Sequence, residues 1–193
     1  MINIANCWTE ISRLVSIGEI GKAIAICEAG PCSGLLECQR YLGWHYYKKG
    51  DMEKALIWFA QAADQKDGEG LFGMGSVHVA QKEFQKALQY FECAAGHGYI
   101  RAYQWIAGIY QHGCGVPPDI DKATNYYQQG AVHGFIMAER SLINLTSKNG
   151  NVLVQILSLL KLVSLQIRTA KIAYQNMNDP RLADVQRRVR LKG

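Results

Sequence analysis

Three groupings in the 193-residue chain have residue types and spacing that could do chemistry. Gly68-Glu69-Gly70-Leu71-Phe72-Gly73 reads GxGxxG, a pattern that seats a pyrophosphate on the free amides opening a helix. That use requires a strand ahead of the glycines. The segment ahead of these has helical periodicity, and Gly70 and Gly75 fall on small-residue positions that recur along the chain, so we assign them to packing. His112 and Cys114 stand two apart in a glycine-rich loop, as a thiol and its base could. A sharp bend needs its glycines for backbone reasons and leaves the residue between them free to vary, so no catalytic pair is expected there. His97 and His133 each precede a glycine near a helix C-terminus, where an imidazole meets the last carbonyls and the negative end of the helix dipole.

The cysteines are Cys7, Cys27, Cys32, Cys38, Cys93 and Cys114. None forms a CxxC, so no zinc or other metal site is expected. The opening MINIANCWTEISRLV has neither a basic n-region nor a long apolar run, the marks of an export signal. A cytoplasmic protein with reduced thiols follows as the expectation, Cys114 being the most accessible. No carboxylate pair, metal cluster or phosphate loop recurs. We therefore expect no enzyme, no cofactor and no small-molecule substrate.

Apolar residues make up 49% and charged residues 19%, a globular balance that excludes a disordered chain. The net charge of +5 is localised. Residues 181–193 hold Arg181, Arg187, Arg188, Arg190 and Lys192 against Asp184 alone, and the body is close to neutral. A nucleic-acid footprint across the whole body is not expected.

What would position these groups is an internal repeat. Lys-Ala recurs at Lys22-Ala23, Lys54-Ala55, Lys86-Ala87 and Lys122-Ala123, at spacings of 32, 32 and 36. An aromatic pair follows the last three: Trp58-Phe59, Tyr90-Phe91 and Tyr126-Tyr127. Gly43, Gly75 and Ala107 are 32 apart and lie in the preceding half of each unit. Each unit reads as two amphipathic helices, with Asp51 capping the second helix of its unit and Ala55, Trp58, Phe59 and Ala62 forming a buried stripe. No segment alternates with period two, so no sheet is expected. A unit this short buries its apolar face only by stacking. The reading is one domain spanning 1–193, an all-α right-handed solenoid of stacked antiparallel helix pairs. A degenerate first pair covers 3–34. Clear repeats cover 35–66, 67–98 and 99–134. A degenerate last pair with a long helix covers 135–177, and a basic C-terminal helix covers 179–190.

The third unit reads AYQWIAGIYQHGCGVPPDIDKATNYYQQGA from Ala102 to Ala131. With Gly113-Cys114-Gly115-Val116, then Asp119 and Lys122-Ala123, it resembles the Sel-one-like repeat branch of the tetratricopeptide superfamily. The first two clear units lack the longer loop. The resemblance implies a non-catalytic scaffold or adaptor, of a kind common in bacteria, that takes a peptide or protein element in a concave groove lined by the first helix of each unit. Carried over by position, it points to Glu37, Arg40, Trp44, Tyr47 and Lys48, to Glu69 and Phe72, to Arg101, Gln104, Gln111 and His112, and to Arg140 and Asn144. A dedicated inhibitor, immunity protein or chaperone-like adaptor for one cognate protein is the first alternative. A membrane or nucleic-acid tether through the basic C-terminal helix is the second.

Val152–Ile167 is strongly apolar but is interrupted by Gln155, Ser158, Lys161 and Ser164. Polar residues every third position form one stripe along a helix. The expectation is a helix buried on most of its circumference with that stripe facing water, either wrapped back over the last repeats or forming a homodimer; a helix lying on a membrane surface is the alternative.

Overall fold

The computed structural model describes residues 4–29, 32–148, 150 and 152–175. The expected helix over 179–190 lies outside them. The elements are α1 (Ile4–Ser16), α2 (Ile20–Glu28), α3 (Leu36–Lys49), α4 (Met52–Asp64), α5 (Gly68–Ala80), α6 (Phe84–Gly96), α7 (Arg101–His112), α8 (Ile120–Val132), α9 (Ile136–Lys148) and α10 (Val152–Gln175). There is no strand among the described residues. The chain divides into two compact units, Met1–Ala102 and Tyr103–Gly193, at a point within α7.

The repeat's sequence marks have structural jobs. Asp51 caps α4 by accepting from the Lys54 amide at 3.1 Å, and Asp119 caps α8 from the Lys122 amide at 2.9 Å. The recurring lysine lies over an aromatic ring of the preceding helix. Lys54 Nζ is 5.0 Å from the Tyr46 ring centroid, and Lys122 Nζ is 5.0 Å from that of Tyr110. The longer third loop keeps this register. Gly113 turns there with φ +67°, where a Cβ would lie 2.6 Å from Pro118, and the Asp119 amide donates to Tyr110 O at 2.9 Å.

In the first unit, the second aromatic of each pair sits against a glycine of the first helix. A Cβ on Gly43 would lie 2.5 Å from the Phe59 ring, and one on Gly75 would lie 2.6 Å from the Phe91 ring; both rings are fully buried. Gly73 also abuts Phe59, and Gly70 meets Ala62 and the Ala63 backbone. The GxGxxG glycines are thus places where helices approach closely. A second cluster joins α1, α2 and α3 through Ile11, Leu14, Ala23, Cys27, Cys38 and Leu42.

One expectation fails here. Cys7 and Cys32 form a disulfide, so the thiols are not all reduced. The helices bring these two Cα atoms to 6.2 Å, within bridging range, although the residues are 25 apart in sequence. Cys27 and Cys38 are buried free thiols, and burial first, then the neighbouring Cys38, pushes the Cys27 thiol well up. Cys93 is exposed and Cys114 only half-buried, so Cys93 is the more accessible.

In the second unit, Ala107, Ala123, Tyr127, Ala138 and Leu145 form the core of α7, α8 and α9. Ala107 takes the small-residue position and Tyr127 that of the buried ring. α10 packs on α9 through Leu162, Leu165 and Ile172 against Ile136 and Ile143. The expectation of a helix buried on most of its circumference is overturned. Ser158, from the polar stripe, is buried, while Leu153, Ile156, Leu160, Val163 and Ile167 are exposed. The reason is that α9 covers a single narrow face.

Candidate functional site

The residues expected to line a binding surface divide by unit. In the first, Arg40 of α3 makes a two-pronged ion pair with Asp67, one prong at 2.9 Å. Asp67 also accepts from the Gly70 amide at 2.8 Å and so caps α5. Its side chain is only 6% exposed. Burial pushes the carboxyl up, but the Arg40 guanidinium and the Gly70 amide outweigh burial and hold it below its ordinary range. Trp44 Nε1 donates to Glu69 Oε1 at 2.9 Å, and the Trp44 ring meets Phe59 edge-on at 4.9 Å. Phe72 is 6% exposed, between Phe91 at 5.2 Å and Tyr99 at 4.8 Å.

Arg40, Trp44, Glu69 and Phe72 are therefore brought together, and what they bind is each other. They lock α3 to α5. Phe72 offers almost no surface to a partner. Glu37 and Lys48 remain exposed, Tyr47 is half-buried against Trp44, and Arg101 is half-buried.

In the second unit the expected residues border open space. A cleft of about 710 Å³ lies between α7, α9 and α10, lined by Gln111, Ser141, Asn144, Lys148, Leu159 and Leu162 among others. Gln111 Oε1 accepts from the Tyr127 hydroxyl at 2.7 Å, which fixes the amide at the cleft wall. Gln104 Nε2 donates to Ser141 Oγ at 3.0 Å. Its buried Oε1 has no partner. Asn144 and Lys148 lie one turn apart on α9, exposed; His112 and Arg140 are exposed and do not line the cleft.

The apolar wall from α10, Leu159 and Leu162, was not anticipated. Its only sequence signal was Gln155, read as part of a polar stripe, which in fact lines the same cleft. No group of three His, Cys, Asp or Glu that could hold a metal occurs among the described residues. His97 and His133 are the C-caps of α6 and α8, and the His97 ring nitrogen Nδ1 lies 2.9 Å from Cys93 O.

Paired helices, docked through a small residue facing a buried ring and repeated along the chain, define a helical-repeat protein of the tetratricopeptide-like class. The Sel1 repeat family model matches residues 36–67, 71–99 and 100–134, and the chain belongs to that family. Such repeats are generally non-catalytic scaffolds that mediate protein–protein interaction. Among curated proteins there is no match. Among solved structures, c5321, a protective antigen of uropathogenic Escherichia coli with an SLR fold, is similar at 22% identity over 77% of this chain, with a TM-score of 0.66. This chain spans 35% of c5321. MamA is similar at 21% identity over 83% of this chain and 96% of its own, with a TM-score of 0.62. These likenesses establish the fold, an α-solenoid of stacked helix pairs.

Proposed function

We propose that this protein is a non-catalytic interaction module, and that the cleft between α7, α9 and α10 holds an extended segment of another protein. The observation that carries this reading is the cleft's lining. Gln111, Ser141 and Asn144 are neutral donors and acceptors suited to a peptide backbone. Leu159 and Leu162 supply an apolar wall, and Lys148 is the charged group at the cleft. With no carboxylate among the lining residues, a segment carrying an acidic side chain fits best. Rigid helices hold these groups in place before binding, which limits the ordering cost of association.

The test is selection of a displayed random-peptide library on the wild type and on an Asn144→Arg, Lys148→Glu variant. Both residues are exposed, so the variant keeps its helical circular dichroism. Acidic extended peptides that bind the wild type and lose at least about tenfold in affinity on the variant support the reading, a loss of about 1.4 kcal/mol. Equal binding to both proteins, or no enriched sequence, refutes it.

A further inference from the structure

We propose that α10 pairs with α10 of a second copy of this chain, antiparallel, through the face it turns away from α9. Leu153, Ile156, Leu160, Val163, Ile167, Ala170 and Tyr174 follow one another at steps of 3, 4, 3, 4, 3 and 4 residues. That is the a/d seam of a heptad repeat, sustained from one end of the helix to the other. All seven are exposed, Leu160 at 61%, Val163 at 54% and Ile167 at 66%. Ser158, Leu165 and Ile172, also seven apart, lie on the opposite side of the helix, where α9 packs. The seam is therefore spare surface, not a badly packed core.

Three observations choose the occupant. The first is charge. α10 has no acidic residue, and its cations Lys161, Arg168 and Lys171 lie off the a and d positions, Arg168 being paired with Glu139 of α9 and Lys171 flanking the seam at e. A second α10 thus meets no like charge across the a and d positions. The second is the rim. Ser164 and Gln166 flank the seam at e and g in its middle heptad and give it a polar border there, while in the heptad before Leu157 holds e and Leu159, at g, lines the cleft. A helix lying in a lipid surface has no use for a polar flank within its apolar face. The third is area. At their exposures, Leu153, Ile156, Leu157, Leu160, Val163 and Ile167 offer roughly 500 Å² per copy, so a pair buries about 1,000 Å². That is the threshold of specific association.

Direction follows from volume. Antiparallel pairing sets Leu153 against Ala170, Ile156 against Ile167 and Leu160 against Val163, so the two smaller residues, Ala170 and Val163, each meet a leucine. Parallel pairing sets Ala170 against Ala170 and leaves a gap. Two α9–α10 hairpins joined in this way make a four-helix layer with two-fold symmetry.

The experiment is sedimentation velocity on the full chain from about 1 to 200 µM. The wild type passes from monomer to dimer across this range, and Leu160→Glu with Val163→Glu stays monomeric with unchanged circular dichroism. Val132→Glu, at a still more exposed apolar site on α8, keeps the wild-type transition. In a Cys93→Ser background, Leu153→Cys with Ala170→Cys oxidises to a covalent dimer, and neither single variant does. A wild type monomeric at every concentration overturns the proposal, as it would if the chain's own residues 176–193 covered the seam. So does a dimer that survives Leu160→Glu, Val163→Glu. A wild type that stays monomeric and binds vesicles of anionic phospholipid, with binding lost in that variant, overturns it in favour of a lipid surface.

Discussion

Gly75→Ala places a single methyl group where a buried ring already lies. The new Cβ would be 2.6 Å from Phe91 Cε1 and 2.7 Å from Cδ1. Real contacts of that kind are about 3.5 Å or more, so something must move by nearly an ångström. Phe91 is fully buried and has Phe72 at 5.2 Å on another side, so the ring cannot swing into solvent. Overpacking of this kind costs about 1–3 kcal/mol. Against it stands the helix preference for alanine over glycine, up to about 1 kcal/mol. The sum is a loss of about 0–2 kcal/mol. Gly96→Ala measures the second term without the first. It lies in the same compact unit, at the end of α6, with nothing within 4 Å of its Cβ, so it gains part of the helix preference and meets no clash. Urea unfolding followed by helical circular dichroism should place Gly75→Ala below Gly96→Ala by about 1–3 kcal/mol. Shortening the ring supplies the second leg of a double-mutant cycle. Phe91→Leu alone is destabilising, but in the Gly75→Ala background it should cost less, because the cavity accepts the new methyl. Equal stability gains from Gly75→Ala and Gly96→Ala, with no coupling to Phe91, would refute the reasoning and with it the repeat register.

The Asp67 carboxyl sits below its ordinary 3.8 in the folded chain, so the stability it contributes is complete above about pH 4 and is lost as pH falls through the lower folded value. Asp67→Asn should lower stability at neutral pH by about 1–3 kcal/mol, Arg40 being one-third exposed and screened, and the gap from wild type should close below pH 4 in acid titrations of unfolding. Oxidised protein denatured in guanidinium should present four thiols to Ellman's reagent, and its reduction should cost about 2–4 kcal/mol through the freed 25-residue separation of Cys7 and Cys32; six thiols would disprove the pairing. Lys82 turns with φ +62°, where the equivalent turn 32 residues earlier holds Gly50 at +82°. Lys82→Gly should therefore raise stability by about 0.5–1 kcal/mol in urea unfolding, and a loss would mean that the lysine side chain matters to the turn.

The fold was legible because its marks are local and repeated. An aromatic pair four residues past a lysine, a small residue 32 apart in each unit and a capping aspartate each imply a helix, and their period implies stacking. The surface was less legible because adjacent repeats use the same residue types that a groove would. Arg40 and Trp44 fall at positions expected to line the groove, yet their partners Asp67 and Glu69 come from the next repeat, 27 and 25 residues away. Nothing at either position distinguishes a partner supplied by the same chain from one supplied by another. Gln111 and Asn144 met the cleft because no such partner blocks the far side of their helices. The Cys7–Cys32 bond was hidden for a similar reason, since it depends on a tertiary approach that no local spacing encodes.

α10 shows how a correct periodicity can still give the wrong face. Its polar residues at every third position do form a stripe, but a stripe at period three drifts around a helix of 3.6 residues per turn. Gln155 points to the cleft, Ser158 into the packing against α9, and Ser164 to the rim of the seam. The apolar residues at alternating steps of three and four do not drift, because their mean period of 3.5 tracks one face through three heptads. The steadier of the two patterns marks the surface that another helix must read. The two uses of α10 also occupy separate sides of the helix. Gln155 and Leu162 face the cleft, and Leu160 and Val163 face the seam. Self-association would therefore leave the cleft able to take its ligand. A peptide selected on the wild type should bind the Leu160→Glu, Val163→Glu monomer at the solution affinity it has for the dimer. Loss of binding in that monomer would show that the cleft is completed by the second copy.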